Sequence, residues 1–245
     1  MLEKTKGIVL RTVKYGETSL VVTMFTELFG LQSYLVNGVR TAPKKGTSKA
    51  GLFQPAAILE LVAYHNEFKN LQRLKEFKWA ELNQNLFSDI RKNAVALFMI
   101  ELLTKCLKQP EANNELFYFT EDAFRHLNEA TETVTANFPL FFAFHLAVFF
   151  GFRISDEFSE VKNYLDLEEG TFVEQQPRHP HYLQDKEAAA VSHILKIMQP
   201  DELQDVVLNQ EMRRRITHAA EEYYALHVPD FGTMRTLPVL REIMS

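Results

Sequence analysis

Near residue 80 the chain changes its hydrophobic period, and that switch restricts the available folds more than any motif does. Before it, β-branched and aromatic segments at 6–12, 19–26, 32–39, 56–64 and 71–79 are broken by turn signals at Lys14-Tyr15-Gly16-Glu17, Leu28-Phe29-Gly30 and Asn66-Glu67. This is the pattern of five strands. Five short antiparallel strands cannot bury two complete sheets, so closure into a small barrel of the OB or SH3-like kind is the economical solution. Along the second strand Leu20, Val22 and Met24 are expected to face inward, with Val21, Thr23 and Phe25 on the other side.

Beyond the switch the spacing is helical. In 88–108 an apolar stripe of Val95, Met99, Leu102, Leu103 and Leu107 predicts a long helix ending before Pro110. Thr120, followed by Glu121 and Asp122, reads as the cap of a second helix through Leu127. The run 138–152, FPLFFAFHLAVFFGF, predicts a third helix over 139–151. It falls short of the roughly 20 residues a bilayer needs and carries Pro139 and His145, so a core helix is expected rather than a membrane span. The helical period lapses over 153–183, where 164–173 reads as a hairpin with Gly170 at the left-handed turn position, and Pro177 and Pro180 hold the chain extended. Further helices are expected from Asp185 as cap through Met198, over 204–226, and over 236–244 with Pro238 in the first turn. The expected fold class is α+β: an N-terminal five-stranded OB-type β-barrel over 1–79, then an all-α helical domain over 80–245 with a small β-hairpin insertion at about 153–183.

Charge divides at the same place. Residues 1–79 hold twelve Lys or Arg against six Asp or Glu, while 80–245 hold fifteen against twenty-six, for a net charge of −5. A basic module joined to an acidic one suggests that the first meets a polyanion and the second faces proteins, although an excess of this size also arises by chance. Arg40, Lys44, Lys45 and Lys49 stand in a twelve-residue loop rich in Pro, Gly and small polar residues. Long cationic side chains on such a loop can follow an irregular phosphate backbone; a loop kept polar for solubility has the same composition. Lys6, Arg11 and Lys14 would extend the patch, and Tyr15 or Tyr34 could stack on bases if not claimed by the core.

Other clusters carry less. Arg213-Arg214-Arg215 spreads over nearly a full helical turn, so the three cannot grip one ligand, and local pairing with Glu211, Glu221 and Glu222 is expected. His179-Pro180-His181, with the distant His193 and Cys106, lacks the spaced ligands of a zinc site. The single cysteine excludes an internal disulfide, and among Leu102, Leu103 and Leu107 it reads as a buried thiol. No GxxxxGK[ST], GxGxxG, GxSxG or HExxH occurs, so neither an enzyme nor a cofactor is expected. The N-terminus MLEKTKGIVL lacks a signal-peptide pattern, and a cytoplasmic location is expected.

Gly7-Ile8-Val9-Leu10-Arg11, Tyr15-Gly16-Glu17-Thr18-Ser19, Phe25-Thr26, Gly30, Gly38-Val39-Arg40, the Lys-rich loop and Leu52-Phe53-Gln54-Pro55 together resemble the bacterial recombination mediator family RecO. Tyr223-Tyr224-Ala225-Leu226-His227 and Arg235-Thr236-Leu237-Pro238-Val239-Leu240 are similar to its ending, so the resemblance spans the chain. It implies a cofactor-free mediator that binds single- and double-stranded DNA without sequence preference and anneals complementary strands. It further implies that, with RecR, the protein helps load the recombinase RecA onto strands coated by the single-strand-binding protein, whose acidic tail docks in the helical domain. The family's basic barrel surface maps onto Arg11, Arg40, Lys44, Lys45 and Lys49, beside which the residues themselves offer Lys14. Many members carry a four-cysteine zinc element where 153–183 holds no cysteine, so zinc is not carried over, and the hairpin is expected to be held by packing alone. Asn37 stands where the family often has Lys. From another class, an OB-barrel adaptor docking an acidic peptide without touching nucleic acid would fit the same charges, and an RNA-binding barrel is a third reading.

Overall fold

The computed structural model describes residues 2–40 and 49–244, so the predicted site residues Lys44 and Lys45 lie outside the described residues. Two compact units divide the chain: 1–84 with 107–125, and 85–106 with 126–245. The expected border after residue 79 falls near the end of the first stretch, and residues 107–125 join the barrel unit as a second one.

Strands β1 (Leu2–Tyr15), β2 (Ser19–Thr26), β3 (Gly30–Val36), β4 (Ile58–Tyr64) and β5 (Leu71–Glu81) close a barrel in the order β1-β2-β3-β5-β4. All neighbours run antiparallel except β3 and β5. Leu20, Val22 and Met24 are buried as the alternation requires, and Val21 and Thr23 are half-exposed. Phe25, expected outside, is buried as well because the ring of Phe117 lies 5.7 Å away. Phe117 belongs to α3 (Asn114–Glu129), whose first part covers this side of the barrel.

An ion pair pins the same cover. Lys6 on β1 donates to both carboxylate oxygens of Glu121 at 2.8 and 2.9 Å, and Glu121 is buried. A carboxylate out of water is tolerated only when paired, so Lys6 is a structural residue and is removed from the candidate basic patch. Helix α3 also begins earlier than predicted. Asn113 accepts from the Leu116 amide at 2.9 Å as the cap, whereas Thr120 lies inside the helix and donates to the Leu116 carbonyl at 2.8 Å. Leu116, Phe117, Thr120, Ala123, Phe124 and Leu127 are all buried, so the helical stripe starts at 116 and outweighs the local capping signal.

After a short α1 (Gln84–Ser88), the second unit is built on α2 (Ile90–Cys106), α4 (Glu132–Leu146), α5 (Asp185–Lys196), α6 (Gln210–His227) and α7 (Thr236–Ile243). The apolar helix starts at Glu132, with Thr131 accepting from the Val134 amide, so Pro139 sits in its interior, where it lacks the N–H that would bond four residues back. By length and composition Glu132–Phe150 is apolar enough to cross a membrane, yet 67% of that window is buried within the fold. At α5 the cap is Gln184, not Asp185, which enters the first turn with φ of 50°. The long C-terminal helix begins at Gln210 rather than 204, because a 3-10 turn over Pro200–Asp205 precedes it and Asn209 supplies the cap.

The insertion is a three-stranded sheet in the order β7-β6-β8, from β6 (Tyr164–Asp166), β7 (Thr171–Val173) and β8 (Tyr182–Gln184). Gly170 takes φ of 65° at the turn, as predicted. Packing of Leu165, Phe172 and Leu183 is joined by polar ties. Asp166 accepts from the Glu168 and Glu169 amides at 2.9 and 3.1 Å and faces His179 at 3.3 Å. Packing alone is therefore not what holds it.

Helix α7 is anchored by a carboxylate from α2. Glu101 accepts from the Arg235 amide and the Thr236 amide at 2.8 Å and from the Thr236 hydroxyl at 2.6 Å. Burial disfavours its charge, but these bonds and nearby Lys105 outweigh burial and hold its carboxyl below the usual 4.5. A depressed carboxylate contributes stability that is complete above its unfolded pKa and fades as pH falls through the folded value. Glu101→Gln is expected to cost about 1–2 kcal/mol at neutral pH, and the gap to the parent should narrow on acidification below about 4.5, as thermal denaturation at several pH values would record.

Candidate nucleic-acid interface

Two cross-strand rows on the barrel's outer surface hold no acid. A register shift between Val9 and Arg11 places a bulge in β1, so that Val9 and Leu10 are both buried and Arg11, Val13 and Tyr15 then point outward. Residues directly opposite on neighbouring strands share a face. One row therefore runs from Val13 to Val21, Leu35, Arg73, Tyr64 and Leu2. A second row runs through Arg11, Thr23, Ser33 and Leu71. Cations thus stand on β1 and β5, while apolar and hydroxyl side chains fill the strands between. Such a surface can hold phosphates along β1 and bases across the strands beside it.

The predicted cations separate into two places. Lys14 lies on β1 beside the β1–β2 turn, Arg11 lies further back on the same strand opposite Thr23, and Arg40 is drawn onto that turn, its amide donating to the Thr18 carbonyl and its guanidinium to the Gly16 carbonyl, both at 3.0 Å. Tyr15 stands exposed among them. Lys49 is elsewhere, in a groove of about 880 Å³ also lined by Lys4, Lys6, Lys75, Lys78, Glu27, Glu60 and Glu76.

Their electrostatic states differ. In the groove Lys78 pairs with Glu60 at 2.8 Å and Lys75 approaches Glu76 at 3.7 Å, which leaves little net attraction for a polyanion. None of the ion pairs found among the described residues engages Arg11, Lys14, Arg40 or Lys49. Tyr34 is not available for stacking: it is fully buried, and burial pushes its phenol well above the ordinary value.

Sequence reasoning missed Arg73 and Tyr64. Alternation on β5 marks Leu71 and Arg73 as sharing a face, but only the parallel β3–β5 register brings that face beside β3.

In the helical unit the arginine triplet does not pair as expected. Arg215 meets Glu187 at 3.3 Å, whereas Glu221 accepts from the Met234 amide and Glu222 faces His181 at 3.0 Å. Arg213 donates instead to Asn137 Oδ1 at 3.1 Å and to the Leu208 carbonyl at 3.0 Å, and burial lowers its pKa. Arg213 and exposed Arg214 line a cleft of about 150 Å³ with Arg241, over Ala136, Pro139, Leu240 and Met244. Arg241 Nε is buried there without a hydrogen-bond partner among the described residues. His179 and His181 are spent on Asp166 and Glu222, and among the described residues no group of three or more His, Cys, Asp or Glu side chains could hold a metal.

The strand order, with β3 beside β5 and β4 closing onto β1, is that of an OB barrel, so the chain is an OB-type barrel protein with an appended helical unit. Residues 1–83 match the family described as Recombination protein O N terminal, and residues 87–235 match Recombination protein O C terminal. The DNA repair protein RecO of Bacteroides fragilis is 34% identical over 244 residues, covering 99% of both chains. That of Phocaeicola vulgatus is 32% identical over 245 residues, covering 100% of both, and that of Christiangramia forsetii 31% over 243, covering 99% of both. The chain belongs to the RecO family, and its role lies in DNA repair and recombination.

Proposed function

We propose that the protein is a recombination mediator that binds single- and double-stranded DNA through its barrel without sequence preference and anneals complementary strands. With RecR, it helps load RecA onto strands coated by the single-strand-binding protein. The observation that carries this reading is the unneutralised state of Arg11, Lys14 and Arg40 along β1 and its turn into β2, beside rows that hold no carboxylate. Phosphate contacts fix a strand without reading its sequence, which is what annealing of arbitrary strands needs. The protein works in the cytoplasm and takes no cofactor.

The acidic tail of the single-strand-binding protein docks at the cleft of Arg213, Arg214 and Arg241. Guanidinium groups there receive carboxylates, while Pro139, Leu240 and Met244 accept an apolar side chain. Annealing of strands coated with the cognate single-strand-binding protein, with and without its tail, tests both halves. The expected result is rapid annealing that falls about tenfold when the tail is removed. Arg214→Glu with Arg241→Glu should abolish only the tail-dependent part. Absence of annealing on naked strands would overturn the DNA-handling reading.

A further inference from the structure

Phe68, at the tip of the β4–β5 turn, is 97% exposed, more than any other large apolar side chain described. It does not hang from a loose loop. Its amide donates to Asn66 Oδ1 at 2.9 Å, and the Lys69 amide donates to the Asn66 carbonyl at 3.0 Å. Gln72, only 3% exposed, braces the turn from below: its side-chain amide donates to the Asn66 and Lys69 carbonyls at 2.8 and 2.6 Å, and its oxygen accepts from the Asn66 amide at 3.0 Å. A ring with no packing on a braced tip is already placed for a flat partner and loses little freedom on meeting one.

The surroundings say which partner. Tyr64, 51% exposed, stands opposite Arg73, and Arg73 stands opposite Leu35 in the row that crosses the barrel face. Lys69 and Arg73 line the groove at the turn together with Glu3 and Glu67, so little net charge gathers there and this spot favours an uncharged π-surface over a phosphate. Phosphates are favoured toward Arg11, Lys14 and Arg40 on the β1 side, which β2 and β3 separate from Arg73: three strand spacings along the row, or about 14 Å. An unpaired nucleobase has the required flat face; a base inside a duplex has both faces taken.

We propose that Phe68 stacks on an unpaired base of a single strand lying across the barrel's outer surface, with Tyr64 beside it. The proposal rests on the nucleic-acid reading above and adds a preference for single strands over duplex. The experiment uses the full chain as parent, Phe68→Ala and Phe68→Trp, titrated against an oligothymidine strand, a DNA hairpin duplex and a strand carrying 2-aminopurine. Phe68→Ala is expected to weaken single-strand binding about 5- to 100-fold, to leave the salt dependence and duplex affinity unchanged, and to relieve 2-aminopurine quenching. Phe68→Trp should restore both the single-strand affinity and the quenching. Equal loss on duplex, or no loss on single strands, overturns the stacking role and leaves the phosphate contacts standing. A parent that binds neither DNA overturns both readings. A Phe68→Ala change confined to the sedimentation of the DNA-free protein assigns the tip to contact between copies and overturns the proposal as well.

Discussion

Changing Arg11, Lys14 and Arg40 together to Ala is expected to flatten the salt dependence of single-strand binding by about two, measured as the slope of log K against log salt. Each single-strand phosphate contact contributes roughly −0.7 to that slope, so four contacts give the parent about −3 and three losses remove most of it. The control lies on the same barrel. Lys75 and Lys78 are cationic too, but each already faces a carboxylate, and Lys75→Ala with Lys78→Ala should move the slope by less than about 0.5. Lys44→Ala, Lys45→Ala and Lys49→Ala in one protein test the loop by itself; an unchanged slope would remove the loop from the interface. Anisotropy with oligonucleotides of unrelated sequence, at several salt concentrations, reads all three comparisons. Equal flattening by the turn set and the Lys75–Lys78 pair would mean that net charge, not the face, attracts DNA.

Gly30→Ala is expected to be the most damaging small substitution in the barrel unit. Gly30 has φ of 61°, and a Cβ built there would lie 2.0 Å from the carbonyl oxygen of Glu111. The conformational part costs about 1–2 kcal/mol for an L-residue. The overlap adds to it because the obstacle is backbone, which cannot swing aside. A total of about 4 kcal/mol or more places the change among the exceptional ones, a fall of roughly 20 °C in the melting of this unit. Gly16 separates the two parts, since it has nearly the same φ, 58°, with nothing among the described residues within 4 Å of its would-be Cβ. Gly16→Ala should cost only the conformational part. If both variants melt together, the close approach at Glu111 carries no weight in the fold.

Much of the barrel was legible because its strands alternate: β2 matches the expected 19–26 at both ends, and β4 and β5 begin or end within two residues of their forecasts. Phe25 shows where alternation fails. Its outward side is buried by Phe117, almost a hundred residues later, and no local period can announce a distant cover. Strand β8, three residues beside Pro180, is too short to carry a period of its own and exists through its pairing with β6. At the interface, Arg11 and Lys14 could be read from charge alone. The bulge that turns Arg11 outward, and the β3–β5 register that sets Arg73 into the same surface, are products of closure and leave no mark in either strand.

The membership of residues 107–125 in the barrel unit has a consequence for synthesis. When β5 leaves the ribosome, all five strands are available, but Phe25 has no lid and Lys6 has no Glu121. At roughly 5–20 residues per second, the last of the covering helix follows about two to nine seconds later. Through that interval the nascent barrel shows an oily patch and an unpaired ammonium, which makes it a natural client for ribosome-associated chaperones. A gene truncated after the fifth strand would leave its product in that half-dressed condition for good.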